Sequence, residues 1–179
     1  MILQFIRKRL PDVVDIWPVY AITVFAIYGW TLLTYFRYLH YWLDFLNVEE
    51  IVAIFFYAML ADFVESLIVL ALLLGLCIIL PPRFFKGNFV VHGALIVICV
   101  FGSIFLYLSK YSDVNDITTI MPWSVATLVV TIALNFILPK IRVVSRAATW
   151  LSDSMTVFLY FYLPLTFVSL IVIIIRNLI

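Results

Sequence analysis

The fold this sequence predicts is an all-α integral membrane protein with five transmembrane helices. Three observations predict it. First, 66% of the 179 residues are hydrophobic and 12% are charged, whereas a soluble domain carries roughly 25% charged residues. A chain of this length cannot hide so much apolar surface in a water-soluble fold. Second, the apolar residues gather in five runs, at 17–36, 51–80, 89–108, 120–138 and 155–175. Each is long enough to cross a hydrocarbon core of roughly 30 Å at 1.5 Å per residue. Third, none of these runs shows the strict apolar–polar alternation that a membrane barrel requires. The 179 residues form a single membrane domain with no room for a soluble one.

The elements follow in order. Ile2, Phe5, Ile6 and Leu10 share one face of a short amphipathic helix closed by Pro11. The first span follows Arg7, Lys8 and Arg9. It is too long for a signal core, and Arg37-Tyr38-Leu39-His40 follows it instead of a small-residue cleavage site, so it reads as a retained anchor. Leu39, Trp42, Leu43 and Leu46 then recur at i, i+3, i+4 and i+7, which predicts a separate amphipathic helix at the interface. Asn47 and Glu50 have capping spacing at the start of the second span, and Pro81-Pro82-Arg83 closes its far end.

The third span runs from Phe89 to Leu108, with Gly87-Asn88 before it. The fourth carries a polar stripe, Ser124, Thr127, Thr131 and Asn135, expected to lie between helices. Val143, Val144, Ala147, Trp150 and Leu151 alternate with basic and polar residues. That predicts a second interfacial helix whose Lys140, Arg142 and Arg146 contact anionic lipid headgroups, each at about 1 kcal/mol. Ser152 or Asp153 is expected to cap the fifth span, and Pro164 in its middle threatens to kink or break it. Tyr160-Phe161-Tyr162 beside that proline needs partners for its hydroxyls.

Charge orients the chain. With the N-terminus inside, eight basic residues fall on the inner side and three (Arg37, Lys110, Arg176) on the outer. This bias predicts an N-in, C-out topology in a bacterial-type plasma (inner) membrane. A net charge of +1 gives no footprint for nucleic acid.

The candidate site is a pair of acids, Asp62 and Glu65, inside an otherwise uncharged run. An acid at the centre of a bilayer costs on the order of 3 kcal/mol on insertion scales. The i, i+3 spacing puts both on one side of a helix, with Ser66 a turn beyond Asp62. Counting back from Pro81 places them just within the outer leaflet. There an ion pair with Arg37 or Lys110 accounts for them, whereas a mid-depth position favours a proton or cation site.

His92, Cys99 and Ser103 share a face of the third span, where His92 reads as a hydrogen-bonded residue near the inner interface. Cys77 and Cys99 read as small apolar residues. The chain shows no metal-ligand spacing, no cofactor motif and no catalytic signature.

The expected function is therefore a non-enzymatic structural or accessory subunit of a membrane complex, partnered by the bilayer and by other membrane subunits or further copies of itself. The alternative is a small transporter or channel using Asp62 and Glu65. A lipid-directed enzyme with these two acids as acid and base lacks any nucleophile or metal.

Overall fold

The computed structural model describes residues 9–80, 88–111 and 117–178. The predicted N-terminal amphipathic helix lies almost wholly outside the described residues, as do Arg83, Lys86, Asp113 and Asp116. Five helices dominate: α1 (Val13–Leu43), α2 (Val48–Ile79), α3 (Phe89–Lys110), α4 (Ile117–Ile137) and α5 (Arg142–Leu178), with a 3-10 turn at Leu138–Lys140 before α5. All five are long and apolar enough to cross a membrane. There is no strand among the described residues. The chain is built as a multi-pass helical membrane protein.

Two expected interfacial helices do not exist as separate elements. Residues 39–43 continue α1 without a break, and the basic stretch from Arg142 runs straight into the fifth span as one 37-residue helix. Neither junction carries a helix-breaking residue, so propagation is cheaper than a new nucleation. The expected cap at Ser152 or Asp153 is overturned for the same reason. Ser152 is buried inside α5, and its hydroxyl donates to the Ala148 carbonyl at 2.8 Å. Pro164 also lies inside α5, which continues past it. The cap predicted for α2 is present: the Asn47 backbone N–H donates to Glu50 Oε2 at 2.9 Å.

The core sits where α1 and α5 meet. α1 packs against α2, α3 and α5, and α5 packs against α2 and α3 as well. Two apolar clusters fill this space. One joins Val19, Ile22, Leu73, Cys77, Phe89 and Ala94; the other joins Tyr20, Ala21, Val24, Tyr28, Met59, Leu159 and Tyr162. Burying such side chains from lipid gains little from hydrophobicity, so contact density does the holding. Gly93 leaves no room for a side chain: a Cβ there would stand 2.8 Å from Val19 Cγ1. α4 is the outlier. It packs chiefly against α3, and 6% of its apolar window is buried against 44% for α1.

Side-chain contacts fix the relative depth of the helices. Val19 stands beside Gly93 and Trp30 stacks on Phe105 at 4.5 Å, so α1 and α3 run in parallel and in step. Tyr20 meets Ser66, Thr31 meets Asp62 and Tyr35 meets Phe55, so α2 runs antiparallel to α1. The last turns of α1 and the first turns of α2 therefore extend beyond the Lys110 end of α3. Tyr35, Trp42 and Phe55 pack edge to face in this extension.

Candidate functional site

α2 places the two acids differently. Asp62 is 4% exposed, whereas Glu65 is exposed on the outside of the bundle. At 3.6 residues per turn, positions three apart are offset by about 60° around the axis. The pair straddles the edge of the buried face, so shared sidedness in sequence became one residue in and one out.

Their level in the bundle follows from the contacts of α1. Asp62 is level with Thr31, next to Trp30, and so with the Phe105 level of α3. Lys110 and the end of α3 lie five residues away, about 8 Å at 1.5 Å per residue. Glu65 stands about 4.5 Å deeper, roughly 12 Å inside a helix about 33 Å long. Both acids therefore lie nearer the Lys110 end of α3 than its Phe89 end, and the excess length of α2 lies at its N-terminal end.

A polar track surrounds Asp62 inside the bundle. Thr31 Oγ1 donates to Asp62 Oδ1 at 2.8 Å, and Asp62 Oδ2 is buried without a hydrogen-bond partner. Arg37 and Lys110 are both exposed near helix ends and do not reach that oxygen. Ser66, fully buried, donates to the Phe63 carbonyl at 2.8 Å and therefore accepts from the Tyr20 hydroxyl at 3.2 Å. Thr166 donates to the Tyr162 carbonyl at 2.9 Å and accepts from the Tyr28 hydroxyl at 2.7 Å. Tyr28 packs against Tyr162 with ring centroids 4.7 Å apart. Every hydroxyl in this track has a donor or acceptor role filled, and the unfilled valence is one carboxylate oxygen. An anionic oxygen so buried needs a positive charge, a proton or water to offset its lost hydration.

Sequence reasoning missed Tyr20, Tyr28 and Thr31 as members of this track. The signal was present: Tyr20, Thr23, Tyr28, Thr31 and Tyr35 recur at helical spacing through the first span. It is the same pattern that marked the fourth span.

The polar stripe of α4 faces α3. Trp123 Nε1 donates to Ser103 Oγ at 2.9 Å, Ser103 bonds Thr127 Oγ1, and Thr127 donates back to the Trp123 carbonyl at 2.9 Å. His92 Nδ1 donates to Asn135 Oδ1 at 3.1 Å, and Asn135 Nδ2 donates to the Thr131 carbonyl at 3.0 Å. Thr131 Oγ1 is buried without a partner. Ser124, Thr127, Thr131 and Asn135 line one wall of a groove of about 680 Å³, opposite Leu76 and Ile96.

Lys140, Arg142 and Arg146 are exposed together around the turn before α5. Tyr162 is buried against α1, whereas Tyr160 and Phe161 face outward. Cys77 is buried and free, and Cys99 is half-buried and free. Among the described residues no three His, Cys, Asp or Glu side chains gather as metal ligands.

A scan against protein-family models, a search of curated proteins and a search of solved structures find no match to this chain.

Proposed function

We propose that this protein is a non-enzymatic accessory subunit of a membrane complex, oriented N-in and C-out in a bacterial-type plasma membrane. The observation that carries this reading is Glu65. It is an exposed carboxylate deep in the span of a helix with mean membrane-window hydropathy of 2.4. Ionisable side chains inside a membrane nearly always face a protein interior or a watery cavity, because lipid offers them nothing. The bundle turns Glu65 away from its own interior, so the reading supplies a neighbouring subunit there. Purification of the full chain from native membranes in mild detergent should bring stable membrane partners with it. A lone monomer in every mild detergent removes the proposal.

The orientation rests on the bias of basic residues, eight inside against three outside. The exposed cluster of Lys140, Arg142 and Arg146 then meets anionic headgroups on the inner face.

One observation favours a second reading, a small transporter with Asp62 and Glu65 as its proton or cation site. It is the unpartnered Asp62 Oδ2 inside a track of hydroxyls. On this reading Asp62→Asn abolishes flux in proteoliposomes and Glu65→Gln reduces it. Unchanged flux in both variants, or none in the parent, removes it.

A further inference from the structure

From the position of Glu65 we infer that the outer face of α2 docks a transmembrane helix of a different protein, and that this helix carries a lysine or arginine level with Glu65. The inference rests on the subunit reading above and names the surface and the chemistry of the partner.

The surface is continuous. Ala61, Glu65, Ile68 and Leu72 are exposed and lie within about 60° of one another around α2, at 3.6 residues per turn. A single charged group thus sits in the middle of an apolar stripe, with the small Ala61 one turn away to let another backbone approach. Leu67, also exposed, points about 100° away from Ile68 and about 130° from the middle of the stripe.

Charge complementarity selects the occupant. Among the described residues the basic side chains, Arg9, Arg37, Lys110, Lys140, Arg142, Arg146 and Arg176, all stand at or near helix ends. None is level with Glu65. A second copy in the same membrane orientation brings Glu65 level with Glu65, two like charges face to face. Its nearest cations in depth among the described residues are Lys110 and Arg37, about 8 Å and 9 Å past the level of Asp62. Glu65 lies deeper still, so a symmetric dimer leaves both acids unmatched. Lipid acyl chains leave it unmatched too. A foreign helix with a base at this depth makes a desolvated, charge-assisted pair, the kind of contact that fixes partner and register together.

The test places a photo-crosslinking amino acid at Ile68 or at Leu67 in the full-length chain, leaving Glu65 intact, and irradiates native membranes. The crosslinked peptide is sequenced by mass spectrometry. The expected product from Ile68 is an apolar segment of another protein with a Lys or Arg within one turn of the crosslink, and none forms from Leu67. Glu65→Lys should then lower co-purification of that protein about tenfold or more. Changing the partner's base to Glu should restore it. Crosslinks from Ile68 to lipid alone, to a second copy, or to a segment without a base overturn the inference, as does a Glu65→Lys chain that keeps its full complement of partner. If partners co-purify but crosslink only through Leu67, the inference falls and the subunit reading stands. A monomer without partners removes both.

Discussion

Asp62 shows how much a single buried oxygen decides. Its Oδ1 takes the Thr31 hydroxyl and its Oδ2 takes nothing. Removing the donor leaves the whole carboxylate uncompensated, so Thr31→Val should cost about 1–3 kcal/mol of stability in detergent. The same substitution in an Asp62→Leu background should cost less than half of that, because the acceptor is gone. Unfolding measurements on the four proteins of this cycle check it, and full additivity defeats it. Glu65 and Asp62 also show why two acids three residues apart are not one site. Three residues leave a rotation of about 60°, enough to cross from a buried face to an exposed one.

At the scale of elements, contact replaces hydrophobicity as the organising force. α1 and α3 pack tightly at Gly93, where a side chain would meet Val19 at 2.8 Å. Gly93→Leu should therefore separate the two helices and cost roughly 1–3 kcal/mol by overpacking. Gly75→Leu should be tolerated, since no atom lies within 4 Å of a Cβ at Gly75. Thermal unfolding of the two variants in one detergent makes the comparison, and equal losses refute it. α4 buries little apolar surface and is joined to α3 by polar side-chain contacts. Ser103 links Trp123 and Thr127, so Ser103→Ala removes two of the bonds that join the N-terminal half of α4 to α3. Amide exchange in Ile117–Ile137 should rise about tenfold, at about 1–1.5 kcal/mol for the lost bonds, while exchange in α1 stays unchanged. Equal acceleration in both helices contradicts this local role of Ser103. The lengths of α1 and α5 follow from what lies between span and interface. Without a glycine or proline at the junction, an amphipathic stretch simply extends the helix that precedes or follows it.

The whole molecule is a tight four-helix assembly of α1, α2, α3 and α5 with α4 appended to the flank of α3. Its helices end at different levels, since the α1–α2 hairpin rises beyond the Lys110 end of α3. The predicted orientation puts that hairpin outside. A reporter active only outside the plasma membrane should work when fused after residue 179 and fail when fused before Met1. The reverse pattern inverts the topology and places the Lys140–Arg146 cluster outside.

Composition, run length and local motifs by themselves determined that this is a helical membrane protein with five helices long enough to span, which residues cap α2, and that Asp62, Glu65 and the α4 stripe are its chemically unusual positions. These were legible because apolar length and helical period are local properties. Tertiary structure alone decided that Asp62 is inside and Glu65 outside, that both lie well below the end of α3, and that Thr31 rather than a cation meets Asp62. It also decided that residues 39–43 and 142–151 belong to long helices and not to interfacial ones. The reason is physical: the rotation and axial offset of one helix against the next are set by contacts such as Val19 with Gly93 and Trp30 with Phe105, which join residues far apart in the chain and leave no periodic trace in either segment alone.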